Sequence, residues 1–249
     1  MINPNEVNAE IETMPYEPYV KLENAKELEG WNKECEVAYN QQRRHKIKLD
    51  FYRDAFDFIY THKLKGDYLE FGSHMARTFR MALTEARKKN FADMNFWAFD
   101  SFEGLPDIQT NLAHNPVYGA GGLSTSKERF FQIANEHGLF LDKIRAVEGF
   151  YETSLTNELK KEMLDAGTKI SFVTLDCSFY DSFVCAFNFI EDLLQEGSMI
   201  YIDDYRVTFN GSPMKGAPKA FREFAAKSKV KYEPFLDVGW FGKSFIAYK

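Results

Sequence analysis

From Gly66 onward the chain alternates short apolar runs with longer amphipathic stretches, and this rhythm restricts the fold more than any single motif. Tyr68–Phe71, Met94–Phe99, Ile144–Val147, Ile170–Leu175 and Ser198–Ile202 read as strands. His74–Lys89, Thr153–Leu164, Ser182–Leu194 and Lys215–Ala226 read as the helices that follow them. Strands alternating with helices require parallel βαβ units and an α/β sheet covered on both faces. The last two runs, Val230–Phe235 and Lys243–Tyr248, have only a short region around Asp237-Val238-Gly239 between them. So short a link permits only a hairpin, so one strand must run antiparallel to the rest.

Ahead of this core, Asn32 to His62 carries Ala38, Ile47, Phe51, Ala55, Phe56 and Ile59 at helical spacing among charges. We therefore expect an N-terminal helical extension over 1–63 and a main domain over 64–249. The segment 104–127 interrupts the rhythm with Pro106, Pro116, Gly119, Gly121 and Gly122, and is expected to act as a lid loop. The 249 residues fit one core, and an apolar content of 45% with 24 Phe and 13 Tyr is ample to build it. A net charge of −6 argues against nucleic acid or an anionic membrane as the main partner. No run approaches the roughly 18 apolar residues of a membrane span. Met1 to Glu12 is too acidic for a secretory signal, so the expected location is cytoplasmic. Three cysteines without CxxC or Cys/His spacing encode neither a disulfide framework nor a zinc knot.

Ligands of open α/β sheets bind beyond the carboxyl ends of the strands. Those ends carry, in chain order, Glu70-Phe71-Gly72-Ser73, Asp100-Ser101-Phe102, Glu148-Gly149-Phe150, Asp176, and Asp203-Asp204-Tyr205. An acid at one turn is ordinary, because Asp is common in turns; an acid at all five strand ends points to a ligand. The turn after the first strand fails GxGxxG, and a pyrophosphate needs several such glycines at a helix N-terminus, which disfavours NAD and FAD. S-adenosylmethionine has no phosphate, and its amino group, sulfonium and ribose diol suit carboxylates. Glu70 would face its methionine end and Asp100 its ribose, while Gly72, Ser73, Ser101, Phe102, Gly149, Phe150 and Asp176 would border the rest. Adjacent Asp203 and Asp204 repel one another unless something positive lies beside them. With Asp176 they would form a hard oxygen site for Mg²⁺ or Mn²⁺; salt bridges to Arg206 or Lys215 are the alternative.

These residues resemble the macrocin O-methyltransferase family of metal-dependent sugar O-methyltransferases. The match is strongest at Ala98-Phe99-Asp100-Ser101-Phe102-Glu103-Gly104-Leu105-Pro106. Gly66-Asp67-Tyr68-Leu69-Glu70-Phe71-Gly72, Leu175-Asp176, Tyr180-Asp181-Ser182, Ile202-Asp203-Asp204-Tyr205 and Gly216-Ala217-Pro218-Lys219-Ala220-Phe221 support it in order. The resemblance implies a Rossmann-like class I methyltransferase fold with a mostly parallel seven-stranded sheet and a C-terminal antiparallel hairpin. It implies a methyl donor, S-adenosyl-L-methionine, a metal held by Asp176, Asp203 and Asp204, and Asp176 as general base on a sugar or natural-product hydroxyl. The chain departs from the family at Asp176-Cys177-Ser178, where an Asp-Gly-Asp stretch is usual, and at Ser73-His74-Met75-Ala76-Arg77, which is poorer in glycine.

Three other readings stay open: a metal-independent methyltransferase, a cephalosporin hydroxylase-like enzyme, and a non-catalytic cofactor-binding protein. His74 and His114 could border the site, whereas His45, His62 and His137 read as solvated. Cys177 has no histidine partner in sequence, and Phe179, Phe183, Phe187 and Phe189 read as a buried face. Tyr118, Phe130 and Phe131 flank the long loop and could line an acceptor pocket. The cluster Gln42-Arg43-Arg44-His45-Lys46 reads as solvent-facing or paired with the acidic N-terminus. The expected partners are a small-molecule acceptor, with neither nucleic acid nor membrane, and a second copy in a homo-oligomer.

Overall fold

A computed structural model of the chain describes residues 33–107 and 119–248. Seven strands form one sheet in the order β3-β2-β1-β4-β5-β7-β6. They are β1 (Asp67–Phe71), β2 (Phe96–Asp100), β3 (Ile144–Glu148), β4 (Ile170–Leu175), β5 (Leu194–Ile202), β6 (Lys231–Val238) and β7 (Gly242–Tyr248). The first five pair in parallel, and β7 runs antiparallel between β5 and β6. This is the mostly parallel sheet with a closing hairpin that the rhythm of the chain demands. The central strands β1 and β4 are buried throughout, as a sheet covered on both faces requires. β6 is largely exposed and tolerates Pro234 because it is an edge strand.

Alternate strand residues feed two cores. On one face Tyr68, Phe96, Phe172, Met199 and Tyr201 pack under helices α1 (Lys33–Thr61), α2 (Arg77–Lys88) and α3 (Lys127–His137). On the other, Leu69, Phe71, Phe99, Val173, Leu175, Ile200 and Ile202 pack under α6 (Tyr180–Ile190) and α7 (Gly216–Lys227). There Phe179, Phe183, Phe187 and Phe189 are all buried, as their spacing implies. Between β3 and β4 lie one turn, α4 (Tyr151–Ser154), and α5 (Asn157–Asp165), where the sequence reads as one helix.

α1 is anchored deeply. Tyr52, Ala55, Phe56 and Ile59 have no exposed surface, and Leu49 and Phe51 are nearly as buried. Buried aromatic and aliphatic side chains of this size contribute about 1.5–3 kcal/mol each, so the second half of α1 is fixed to the sheet. The long segment after β2 is pinned at its neck: Leu105 N donates to Gly122 O at 2.9 Å and Gly121 N to Leu105 O at 2.8 Å. Gly104 makes that approach possible, since a Cβ there would lie 2.7 Å from the Gly121 and Gly122 carbonyls. His114, Pro116, Tyr118 and the tip of the expected lid lie outside the described residues, as do Trp31 and the rest of the first 32 positions.

Candidate active site

The chain proceeds outward from β1 through β2 to β3, then returns to β4 on the other side of β1. Order therefore reverses between β1 and β4, and a cleft opens where a doubly wound sheet binds ligands. Two backbone hydrogen bonds carry the ladder past the strand ends: Asp176 N donates to Phe71 O and Asp203 N to Leu175 O, both at 2.9 Å. Gly72, Asp176 and Asp203 are thereby fixed side by side. Gly72 has a φ of 85°, and a Cβ on it would overlap the Asp176 carbonyl oxygen.

The cavity at this point is walled by Gly72, His74, Asp100, Ser101, Gly149, Phe150, Asp176 and Asp204, with Leu105, Pro106 and Tyr151 supplying apolar surface. Of the residues singled out in sequence, Gly72, Asp100, Ser101, Gly149, Phe150 and Asp176 thus share one wall. Asp100 also builds it: Oδ2 accepts from Ser73 N at 2.7 Å and His74 N at 3.1 Å, and Oδ1 accepts from Phe102 N at 2.8 Å. The carboxylate thus organises two loops and keeps one lone-pair direction for a ligand. His74 Nδ1 lies 3.0 Å from Thr125 Oγ1, and burial lowers its pKa.

Three residues expected at the cofactor stand behind the wall instead. Phe102 adopts a φ of 57°, turns inward and packs edge-on against Phe130, 5.6 Å between ring centroids. Phe130 is itself in the core, because 127–137 forms the helix α3, so neither ring lines the cavity. Ser73 is buried, and its Oγ has no hydrogen-bond partner among the described residues. Glu70 is buried completely, hydrogen-bonded by the Tyr68 hydroxyl. Burial drives its pKa up to about 8, against the pull of Tyr68, Thr78 and Lys48.

Glu70 makes stability depend on pH with a definite sign. The folded state keeps a proton that the unfolded chain releases near pH 4.5, so unfolding is favoured as pH rises from there to about 8. Relative to Glu70→Gln, which mimics the protonated form, the wild type loses on the order of 1 kcal/mol per pH unit across that window. Thermal melts of both ligand-free proteins between pH 5 and 8 should show the variant's advantage widening with pH; a constant difference would contradict a buried, proton-holding carboxyl.

Asp176, Asp203 and Asp204 converge as expected, but on cations of the chain itself. Lys48 Nζ pairs with Asp203 Oδ2 and lies 3.8 Å from Asp176 Oδ2. Arg44 Nη2 pairs with Asp204 Oδ1, and its guanidinium stacks on Phe241 at 4.3 Å. Tyr201 Oη donates to Asp203 Oδ1 at 2.8 Å. Burial would raise the Asp203 pKa, but the Lys48 ammonium outweighs it and holds the group at about 2. Burial and the neighbouring Asp203 charge push Asp176 well above the usual carboxylate range. Lys48 is held above its ordinary value because these carboxylates outweigh its own burial.

The expected metal site is not shown by this geometry. Among the described residues no group of three or more His, Cys, Asp or Glu side chains is arranged to hold an ion. A Mg²⁺ ion would need these oxygens at about 2.0–2.1 Å, and Lys48 already engages them. The expected alternative partners are elsewhere: Arg206 bonds Asp237 at 2.9 Å, and Lys215 lies over Phe209. His45 and His137, read as solvated, are half-buried with pKa values lowered by burial to about 4. Cys177 is buried, and desolvation raises its thiol, so it is no nucleophile.

Comparison with known proteins bears on the family and the fold. The macrocin O-methyltransferase profile matches residues 22–246. A search of curated proteins finds no match. Among solved structures, the O-methyltransferase NovP superimposes with a TM-score of 0.68 at 17% identity, covering 82% of this chain and 81% of that one. The calicheamicin methyltransferase CalS11 gives 0.64 at 14%, covering 98% and 90%. The O-methyltransferase TomG from Streptomyces achromogenes, solved with S-adenosylmethionine, gives 0.51 at 13%, covering 80% of each. No helix among the described residues is long and apolar enough to cross a membrane.

Proposed function

The chain belongs to the macrocin O-methyltransferase family, and from that premise we propose that its S-adenosylmethionine-dependent reaction methylates a hydroxyl of a sugar-like acceptor, with Asp176 as the base. The observation that carries this reading is the meeting of Gly72, Asp100, Gly149 and Asp176 on one cavity wall at the point where strand order reverses. NovP is an O-methyltransferase and CalS11 a TDP-rhamnose 3'-O-methyltransferase of calicheamicin biosynthesis, and this chain shares their fold.

The residues fit the methyl donor. Gly72 lets a ligand approach the backbone, Asp100 keeps an acceptor direction for a ribose hydroxyl, and Leu105, Pro106, Phe150 and Tyr151 offer an apolar bed. When bound, S-adenosylmethionine supplies a methyl group on a positively charged sulfur. The chain's own part is to hold the acceptor oxygen in line and to receive its proton. We assign the second task to Asp176, because its side chain is one-third exposed and lines the cavity while Asp203 is almost wholly enclosed, and because its raised pKa makes the deprotonated carboxylate the stronger proton acceptor. The described carboxylates do not fit a divalent ion, and no step is assigned to one.

The test is a mass-spectrometric screen of the full chain with S-adenosylmethionine and a panel of nucleotide sugars and glycosides. One methyl added to a hydroxyl oxygen is expected, with S-adenosylhomocysteine released in equal amount. Methylation at nitrogen or carbon only, or hydroxylation of the panel, would reject the reading.

A further inference from the structure

We infer that Lys48, with Arg44 beside it, is a built-in counter-cation that takes the place of a divalent ion at the acidic rim, so that the site operates without metal. The inference rests on the methyltransferase reading above but is tested separately from it.

The two cations are four residues apart and so project from one face of α1. Each meets a different acid: Arg44 meets Asp204, while Lys48 meets Asp203 and reaches to 3.8 Å from Asp176. No carboxylate of the three is left without a positive neighbour. An ion bound to the same oxygens would be forced against the Lys48 ammonium, and like charges in a poorly solvated site cost several kcal/mol. Lys48 cannot withdraw by moving its helix, because Leu49, Phe51, Tyr52 and Phe56 immediately after it are buried in the core. Its own side chain is only 11% exposed and its partner Asp203 only 2%, so the pair is shut off from competing water. Buried ions that lose their partner are strongly destabilised, which holds the ammonium where it is.

Lys48 does not line the cavity, so it is a positioning residue that acts through Asp176 and Asp203. It fixes both carboxylates and supplies the local positive charge that an ion would otherwise bring. A lysine cannot do what an ion does by direct coordination of an acceptor oxygen; it can only set the field and geometry of the carboxylate that takes the proton.

Mn²⁺ binding to the chelator-treated full chain, read by electron paramagnetic resonance and by the shift it causes in Tm, tests this directly. Wild type should bind no stoichiometric Mn²⁺ at millimolar concentration, and its methyl transfer should be unchanged by EDTA. Lys48→Met should acquire about one equivalent, at least tenfold tighter than wild type, with Mn²⁺ raising its Tm. A lysine that merely filled space would leave Mn²⁺ affinity unmoved. If Lys48→Met does not fold, Lys48→Gln, which removes the charge but keeps a polar end for Asp203, carries the same comparison. Stoichiometric Mn²⁺ on wild type would overturn the inference, as would failure of both folded variants to gain it. Absence of S-adenosylhomocysteine binding would instead refute the methyltransferase reading and leave the ion comparison standing.

Discussion

Asp176→Asn should lower kcat for methyl transfer by about 10²–10⁴-fold while leaving S-adenosylhomocysteine affinity within a few-fold of wild type. A hydroxyl is a poor nucleophile at neutral pH, so its proton must leave as the new bond forms. Asn keeps the size and much of the hydrogen bonding of Asp but cannot accept that proton. The backbone there is tied to β1 through Asp176 N and Phe71 O, so the substitution should not disturb the wall. Steady-state kinetics on the acceptor found by the screen, paired with calorimetry, separates the outcomes. Unchanged kcat would remove Asp176 as base and direct attention to His74, another titratable group that lines the cavity. Lost cofactor affinity would instead make Asp176 a binding residue.

The second large effect concerns a residue without a side chain. Gly72→Ala should cost about 2–5 kcal/mol and lower Tm by roughly 5–15 °C, because two penalties add. Its φ of 85° is unfavourable for any residue with a Cβ, and that Cβ would overlap the Asp176 carbonyl oxygen. Relief requires β1 and β4 to part at the point where the cavity opens, so S-adenosylhomocysteine affinity should also fall at least about tenfold. By contrast Gly167→Ala, at a φ of 79° with no atom within 4 Å of the added Cβ, carries the strain without the collision and lies far from the cavity. It should lower Tm less and leave affinity alone. Equal effects from both substitutions would show that the close approach at Gly72 is unimportant.

Much of the sheet was legible because its signals are local. The apolar runs gave all seven strands to within a few residues, and the short link before Lys243 required the hairpin. The strand-end acids were readable for the same reason: topology alone brings carboxyl ends to one rim. α3 was overlooked although its markers are present. Ser126 caps its start by accepting from Arg129 N, and Gly138 closes it at a φ of 75°. With α3 absent, Phe130 read as a loop residue available to the pocket. Adjacency to Asp100 suggests a cofactor contact for Phe102, but its left-handed backbone reverses direction.

Lys48 was missed for a different reason. It is 155 positions from Asp203 and 128 from Asp176, and nothing in a local window connects them. One signal was available: Lys48 shares a helical stripe with Tyr52, Ala55, Phe56 and Ile59, all buried. A charged residue on a core-facing stripe needs an opposite charge inside the protein. The adjacent Asp203-Asp204 pair likewise needed a cation. Read together, the two demands answer each other, whereas each alone invites a solvated patch or a metal.

The most direct test of the account is a titration of the full chain with S-adenosylhomocysteine in the presence of EDTA, for wild type and Asp100→Ala. One equivalent should bind wild type with metal removed, and Asp100→Ala should bind at least about tenfold more weakly, since the carboxylate both frames the turn and faces the ligand. No binding to wild type, or equal binding to both proteins, would mean that the cofactor does not sit in the cavity between β1 and β4.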